Sequence, residues 1–433
     1  GGRGGNGTWI TLSGGSVEAS AEGSGAGIGG GSFANDRNCG GEGREILLDG
    51  AEVISGSGTG AGIGGGWGGC GRDITINAAI VNAGSSNGGA GIGGGGWRGV
   101  LGGNDGERIQ INGGYVLADG IVGIGASGCA RDIVIAGGTI YANGMFSGIG
   151  IGNFPPLFGG STSGVVIRGG NLSAHNDRTP QATPIATQPI NGLGEDVFCQ
   201  TIMLPNAQEG HSPGVQWWEP VADIQIEGAD YFETKDVVIN QDGELRLWLP
   251  EGCKVKSVVM QDGTVYYPVT ISAVGNGEVA ANLAFGAQGN QVTLAVSAEP
   301  PDELLPGSLR MNGQPVAVAQ GGYGFTMPDQ EAVVEAAFGR RQPLTVVHGL
   351  GQGDYYPGER VQLTADTPQA GFAFDQWVCT AGDGTLEETQ SPNAVFVMGS
   401  QAATVEARYK QTAAATPTPE PSSTPEGAPT PGA

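Results

Sequence analysis

The chain has few basic side chains. Lysine and arginine together supply 19 of its 433 residues, whereas aspartate and glutamate supply 43, so the formal net charge is −24. Nucleic acid and anionic membrane surfaces repel a chain this acidic, and we exclude both as main partners. The sequence also lacks an apolar run of about 18 residues, the minimum for a membrane-spanning helix. We therefore expect no membrane insertion.

The residue patterns of metal and cofactor sites are missing as well. The six cysteines form no CxxC pair, and the three histidines lie far apart without an HExxH motif. GAGIGG matches the GxGxxG pattern of dinucleotide sites, but it recurs in successive units with no helix after it. The aspartate of calcium-binding glycine-rich repeats is absent too. We predict no metal and no cofactor, and the sequence leaves a Cys199–Cys253 disulfide open.

Glycine is abundant, at 84 residues, but it follows no Gly-X-Y period, which excludes collagen. Instead, the first half repeats one unit: an aliphatic strand, a small-residue turn, a second short strand and a GIG core. The first strands begin at Ile10, Ile46, Ile74, Ile109, Ile133 and Val165. The second strands are SVEAS, AEVIS, AIVNA, GYVLA, GTIYA and GNLSA. The GIG cores centre on Ile28, Ile63, Ile92, Ile124 and Ile149.

This fixed order of motifs with variable spacing predicts an all-β chain that begins with a parallel β-solenoid of about six coils. One unit cannot bury its own apolar face, whereas coils stacked about 4.8 Å apart place each isoleucine on its equivalent in the next coil. Glycines at the corners permit positive φ and close approach of neighbouring backbones. We expect the right-handed form, the default for parallel crossovers.

Charged pairs precede four of the first strands and indicate how the coils align. They are Arg44-Glu45, Arg72-Asp73, Glu107-Arg108 and Arg131-Asp132. Stacking in register places Glu107 between Arg72 and Arg131, and Arg108 between Asp73 and Asp132. Opposite charges across neighbouring strands are favourable by about 0.2–1 kcal/mol each. We interpret these carboxylates as a structural charge ladder rather than as catalytic groups.

Four aromatic residues follow GIG cores at an offset of four or five residues, and they form our candidate binding site. They are Phe33, Trp67, Trp97 and Phe154. In a solenoid they fall along one corner, where rings about 5 Å apart can stack against successive sugars of a glycan. The alternative is that they cover the glycine turns and pack on one another.

The composition and the motif pattern of the chain change after the solenoid. We predict five parts: a solenoid over 1–194, a small all-β domain over 195–289, a β repeat module over 290–339, a second module over 342–410, and a Pro/Thr/Ser-rich linker over 411–433. The segment 174–194 is expected to cover the last coil, because an open strand edge promotes aggregation. Trp217-Trp218 and Tyr266-Tyr267 are candidates for a surface aromatic site, although core packing is favoured.

The two β modules carry an internal duplication. The segment from Phe325 to Phe338 repeats from Phe396 to Tyr409, and every paired position is offset by 71 residues. These segments are predicted to be the last two strands of each module.

The second module resembles a known family. It begins with LTV, continues with YYPGERVQLTA and GFAFDQWV, and ends with F-x-M before a TVEARY strand. These features resemble the divergent internalin-type B repeat of Gram-positive surface proteins. The resemblance implies a small β-grasp-like or sandwich unit that acts as a stalk, with Trp377 and Phe396 in its core. The GAGIGGG array also resembles, in composition, the solenoids of large clostridial-type surface proteins.

The order of these parts favours an extracellular, non-catalytic protein of the cell wall or cell surface. Its solenoid would present a long rigid face to an extended polymer, as in an adhesin or a stalk that binds an extracellular glycan or host surface polysaccharide. A purely structural spacer is one alternative. Another is a β-helix polysaccharide lyase or glycoside hydrolase, with Asp36, Asp49, Asp105 and Asp119 as candidate carboxylates. We expect a monomer, and the chain opens in the middle of a repeat, as an internal fragment of a longer protein does.

Overall fold

The computed structural model describes residues 4–32, 40–96, 104–154, 160–176, 185–205, 219–239, 243–319 and 322–412. Every regular element within these ranges is a β-strand, which confirms the predicted all-β class. The chain divides into two compact units. The first comprises Gly1–Ile271, Ala280–Ala295 and Val316–Val334, and the second comprises Ser272–Val279, Val296–Pro315 and Glu335–Ala433.

The first unit contains a solenoid of six coils whose strands form three parallel ladders, here called the first, second and third sheets. The first sheet consists of Gly7–Ser13, Gly43–Asp49, Gly71–Asn77, the starts of Gly106–Ala126 and Ala130–Asn153, and Thr162–Ile167; these strands number coils 1 to 6. The second consists of Ser16–Ala21, Glu52–Ser57, Ala79–Ser85, the middles of the two long strands, and Asn171–Asn176. The third consists of Ile28–Gly29, Ile63–Gly64, Ala90–Gly93 and the ends of the long strands.

The register of the first sheet is the one that the sequence predicts. Each first-strand isoleucine pairs with its equivalent in the next coil, from Ile10 with Ile46 to Ile133 with Val165. The second strands align in the same way, from Val17 with Val53 to Ile140 with Leu172. These columns point inward and form one continuous apolar core, in which the isoleucines of coils 2 to 5 are almost fully buried.

The third sheet corrects one predicted position. Ile28, Ile63, Ile92 and Ile124 stack in one column, but the column continues to Ile151 and not to Ile149. Ile149 pairs with Val122 instead. The sequence GIGIG offers two overlapping GIG cores, and the glycine after the inner isoleucine decides between them. That glycine has a φ of 128° to 133° in coils 1 to 5, and Gly152 is the one that lies opposite Gly125.

The charge ladder lies on the outer side of the first sheet. Glu107 forms ion pairs with Arg72 in coil 3, at 3.4 Å, and with Arg131 in coil 5, at 2.5 Å. Both predicted neighbours of Glu107 are therefore confirmed. Arg108 binds Asp73 with Nη2 to Oδ2 at 2.9 Å, but among the described residues no ion pair joins it to Asp132. The Arg108 guanidinium holds the pKa of Asp73 below its usual value.

A second feature of this ladder is a left-handed backbone. Glu45, Asp73, Arg108 and Asp132 have φ between 52° and 58°, and Trp9 occupies the same position in coil 1. The residue at this position has no partner in the parallel pairing of the strands, because the positive φ kinks the strand there. In coils 3 and 4 the charged residues at this position, Asp73 and Arg108, pair with each other, whereas one carboxylate oxygen of Glu45 in coil 2 is buried without a hydrogen-bond partner.

Replacing Glu107 tests the charge ladder. Glu107→Gln removes the charge that separates two arginines, one on each side, so we expect the free energy of unfolding to fall by about 1–2 kcal/mol. The loss should shrink at about 1 M salt, where screening is strong. Urea unfolding of the full chain at low and high salt measures it. Glu52→Gln, at an exposed carboxylate of the second sheet, is the control; an equal loss in both variants would contradict a specific ladder.

The last coil is covered, as the sequence analysis expects. Within the described residues, Ile185 bridges Ile151, and Ile190 bridges Val166. A second segment, 233–238, crosses the corner between the first and second sheets. Its backbone accepts hydrogen bonds from Gly138 and Gly170. The hydrogen bonds of Gly138 and Gly170 pair backbone N–H groups along the corner of coils 5 and 6, and the bridge between Ile190 and Val166 pairs the open edge of coil 6.

The remaining strands of the first unit form smaller sheets next to the solenoid. Their bounds are Phe198–Met203, Glu219–Glu227, Val238–Ile239, Glu244–Leu249, Lys254–Met260, Phe285–Ala287 and Gly322–Thr326. The strands Val265–Val274, Gly277–Ala281, Gln291–Ala298, Ala317–Ala319 and Ala332–Gly339 include residues at or across the division between the units. Cys199 and Cys253 are free thiols, so the disulfide that the sequence left open is not formed. Tyr266 is a core residue, which agrees with the favoured interpretation of Tyr266-Tyr267; Trp217-Trp218 lie outside the described residues.

The second unit contains the module that the sequence places over 342–410. Its short strands before the module are Glu303–Leu304, Arg310–Met311 and Gln314–Pro315. The module strands are Gln342–Val347, Gly349–Leu350, Gly353–Tyr355, Arg360–Ala365, Phe372–Ala381, Thr385–Glu387, Asn393–Val397 and Ala403–Gln411. They form two four-stranded sheets around one core, and the core contains Trp377 and Phe396 as the resemblance implies. Of the two folds that the resemblance allows, this is the sandwich.

The internal duplication is visible in the strands. Shifted by 71 residues, Gly322–Thr326 coincides with the whole of Asn393–Val397, and Ala332–Gly339 coincides with all but the last residue of Ala403–Gln411. The equivalent phenylalanines also have equivalent partners. Phe325 pairs with Val292, and Phe396 pairs with Val361, both in antiparallel register. The repeated sequence therefore encodes a repeated strand pair.

Candidate functional site on the second sheet

The outer side of the second sheet has three side-chain positions in each coil, of which Thr139 in coil 5 and Asn171 and Ser173 in coil 6 are buried. Successive strands are in register, so these positions form three columns along the solenoid. The columns are Ser16, Glu52, Ile80, Tyr115, Thr139 and Asn171; Glu18, Ile54, Asn82, Leu117, Tyr141 and Ser173; and Ser20, Gly56, Gly84, Asp119, Asn143 and His175. The first sheet carries ion pairs on its outer side, whereas this face combines aromatic, aliphatic and neutral polar groups with the carboxylates of Glu18, Glu52 and Asp119.

Two tyrosines are the largest side chains of this face. Tyr115 in coil 4 and Tyr141 in coil 5 have ring centroids 5.9 Å apart and planes tilted by 49°. They are diagonal neighbours, because Tyr115 pairs with Thr139 and Tyr141 pairs with Leu117. Diagonal side chains on adjacent strands remain within reach when they are aromatic. Both rings are half-buried and together form a continuous aromatic surface over two coils.

A polar column runs beside the tyrosines. Asn143 donates a hydrogen bond from Nδ2 to Oδ1 of Asp119 at 2.6 Å. His175 follows in the next coil and contacts Ser173 and, at 3.4 Å, the guanidinium of Arg246. The column therefore offers a carboxylate, an amide and an imidazole in successive coils. Such groups donate to and accept from hydroxyl groups with different orientations.

Neither Tyr115 nor His175 adds a charge to this site at neutral pH. Burial raises the pKa of Tyr115 to about 12, with further contributions from Tyr141 and Asp119, so its hydroxyl stays protonated at neutral pH. Burial and the nearby Arg246 guanidinium lower the pKa of His175, and the imidazole is therefore neutral at pH 7. Arg246 itself is paired with Glu244 at 2.9 Å. The site is a set of neutral donors and acceptors around one carboxylate.

Two residues of the aromatic row that the sequence proposes, Trp67 and Phe154, lie at the corner between the third and first sheets. Phe33 and Trp97 are outside the described residues. Trp67 and Phe154 are both half-buried, in coils three apart. The backbone N–H of Trp67 donates to Ser24, and that of Phe154 donates to Ala126. The corner row stays a prediction.

The carboxylates proposed for an enzyme are separated. Asp36 lies outside the described residues. Asp49 ends a first-sheet strand in coil 2, and Asp119 lies on the second sheet in coil 4. Asp105 accepts a hydrogen bond from the backbone N–H of Cys129 and lies 3.7 Å from Arg131. Asp49, Asp105 and Asp119 therefore lie at three different places: the end of a first-sheet strand, the residue before such a strand, and the second sheet.

Sequence reasoning did not identify the tyrosine pair. Tyr115 is the second residue of GYVLA and Tyr141 the fourth of GTIYA, so the two tyrosines do not align when the units are compared position by position. The alternation of inward and outward residues along each second strand could have identified the pair. Every second residue from Tyr115 gives Tyr, Leu and Asp, and every second residue from Thr139 gives Thr, Tyr and Asn. Side chains of one parity share a face, which places all six together.

Comparison with known proteins supports one part of the chain. Residues 345–413 match the family of divergent InlB B-repeat domains. No curated protein and no solved structure matches the chain significantly. Repeats of this family are typical of surface or extracellular proteins, which indicates a surface-associated protein. In the described part of the chain, no helix has the length and apolar character that a membrane crossing requires.

Proposed function

We propose that this surface-associated protein binds extracellular carbohydrate through the outer face of the second sheet, as a non-catalytic adhesin or binding stalk. The observation that carries the proposal is the tyrosine pair, Tyr115 and Tyr141, beside the hydrogen-bonded Asp119 and Asn143. A sugar ring has one apolar side and a rim of hydroxyl groups. Aromatic rings fit the first, and a carboxylate with a neighbouring amide fits the second.

The rigidity of the face favours binding. The tyrosines and their polar neighbours are on strands that are hydrogen-bonded on both sides, and the inner residues of the same strands are fully buried. Side chains held on such a framework lose little conformational freedom when a ligand binds. The match of residues 345–413 to a repeat that is typical of surface proteins supports an extracellular setting for this ligand.

The proposal predicts which glycan contacts matter. The variant Tyr115→Ala with Tyr141→Ala removes the stacking surface, and truncation of an aromatic hot spot in a binding site typically costs about 2 kcal/mol or more. We expect every glycan bound by the full chain on an array to lose at least about tenfold in affinity. Titration calorimetry with the strongest array ligand measures the loss.

Two controls interpret this result. Tyr267→Ala removes a partly buried tyrosine from another sheet of the first unit and should leave binding unchanged. The variant Trp67→Ala with Trp97→Ala tests the corner row on the same array. If that variant alone abolishes binding, the corner is the glycan site and the tyrosine face is not. If no variant changes any ligand, the protein does not use aromatic stacking on the solenoid.

A further inference from the structure

We infer that the ligand of this face is a neutral, extended polysaccharide that lies parallel to the solenoid axis, with successive sugars on successive coils. The inference rests on the proposed function and adds the direction, the length and the charge class of the ligand.

The direction follows from an apolar path along four coils. Tyr141 and Tyr115 are diagonal neighbours in coils 5 and 4, and Tyr115 lies directly opposite Ile80 in coil 3. Ile80 lies opposite Glu52, so its diagonal neighbour is Ile54 in coil 2. Each of these coils thus contributes at least one large apolar side chain to the path. The path runs across the strands and therefore along the axis.

The half of the path in coils 2 and 3 is exposed to solvent. Ile80 is 56% exposed and Ile54 is 48% exposed, which is unusual for isoleucines on regular strands. Exposed apolar side chains that continue an aromatic surface mark an interaction site more often than isolated ones do. Coils repeat every ~4.8 Å, which is close to the length that one sugar adds to an extended chain. The four coils accordingly match a run of about four sugars.

The charge class follows from the composition of the face. Its outward positions include the carboxylates Glu18, Glu52 and Asp119 and no lysine or arginine. Among the described residues, Arg246 beside this face is paired with Glu244, and Lys235 lies at the corner of the sheet next to Gly113. Uronic acids and sulfated sugars would meet uncompensated negative charge here, in a chain whose formal net charge is −24. Neutral sugars only need hydroxyl partners, which Asn82, Asn143 and the carboxylates supply.

Matched oligosaccharides test the inference on the full chain. The probes are neutral β-1,4-glucan, β-1,3-glucan and β-1,4-mannan as hexasaccharides and as disaccharides, with a hexasaccharide of galacturonate as the anionic counterpart. We expect at least one neutral hexasaccharide to bind at least about tenfold tighter than its disaccharide, a ratio that corresponds to 1.4 kcal/mol. We expect the galacturonate to bind more weakly than that hexasaccharide.

Variants of the exposed half of the path locate the extra contacts. Ile54→Ser with Ile80→Ser should reduce the hexasaccharide affinity to within about threefold of the disaccharide value and leave the disaccharide unchanged. Val318→Ser, at an exposed valine outside the solenoid, is the control for lost apolar surface. Both isoleucines are exposed, so these substitutions leave the core intact.

The outcomes separate the inference from the function on which it rests. If hexasaccharide and disaccharide bind equally, or if galacturonate binds best, the axial neutral ligand is wrong while the tyrosine site can stand. If the tyrosine variant and the isoleucine variant both leave a bound hexasaccharide unaffected, the ligand lies elsewhere on the protein. Absence of binding to every probe overturns both proposals for these sugar classes.

Discussion

Gly93→Ala should destabilise the solenoid severely, although it adds only one methyl group. Gly93 follows the inner isoleucine of coil 3 and has a φ of 130°, a conformation that residues with a Cβ rarely adopt. A Cβ at this position would also overlap the carbonyl oxygen of Gly125 in the next coil. The strain costs about 1–3 kcal/mol, and overpacking costs about as much again. We expect the free energy of unfolding to fall by about 2–6 kcal/mol in total.

The chain contains a matched control for this substitution. Gly84 lies in the same coil, on the outer side of the second-sheet strand Ala79–Ser85, and a Cβ there would meet no atom within 4 Å. Its φ lies outside the left-handed region, so alanine fits without strain. Gly84→Ala should therefore be neutral or stabilise by up to about 1 kcal/mol, because it restricts the unfolded chain.

Urea unfolding followed by far-ultraviolet circular dichroism compares the two variants in the full chain. Opposite signs for Gly93→Ala and Gly84→Ala are the expected result. Equal effects would mean that the glycine-rich corners are not packed backbone against backbone, and the close stacking of coils would then be wrong. If Gly93→Ala yields only insoluble protein, the ratio of soluble yields gives the same comparison, since Gly84→Ala should express like the unchanged chain.

Much of the solenoid could be predicted from sequence because its coils repeat the same inner residues. In every coil an isoleucine or valine of the first strand and a valine, isoleucine or leucine of the second strand point inward, so one alignment fixes two ladders. The position of Glu107 between two arginines follows from that alignment. The choice of Ile151 over Ile149 could not be made in this way. Ile149 and Ile151 are two residues apart and so belong to the same face of the strand. Only the positive φ of Gly152 and its pairing with Gly125 distinguish them.

The candidate site was less predictable, because it belongs to the outer positions, which the repeat does not constrain. Inner columns must all be apolar, whereas outer columns change from coil to coil, from Glu52 through Ile80 to Tyr115. A search for aligned aromatic residues therefore found the corner row and missed Tyr115 and Tyr141. The positive φ at Glu45 and its equivalents could not be predicted either, because charged residues give no local signal for positive φ.

The repeat module offers the second large expected effect, at the centre of its core. Trp377 lies on the strand Phe372–Ala381, is only 2% exposed, and has its ring 6.2 Å from that of Phe374. Trp377→Ala removes the largest core side chain of a small sandwich and should cost about 3–5 kcal/mol. Hydrogen exchange of the full chain, read in peptides from the strands of the module, measures the loss locally. Phe372→Ala, at a 44% exposed position of the same strand, is the control and should change exchange little.

A conservative change at the same position separates packing from hydrogen bonding. The indole Nε1 of Trp377 is buried and has no hydrogen-bond partner among the described residues. An unpaired buried donor costs about 1–3 kcal/mol, so Trp377→Phe removes that penalty while it loses part of the apolar volume. The two effects oppose each other, and we expect Trp377→Phe to change the stability of the module by less than about 1 kcal/mol. A loss as large as that of Trp377→Ala would contradict this expectation and would mean that the packing of the indole ring outweighs the cost of its unpaired nitrogen.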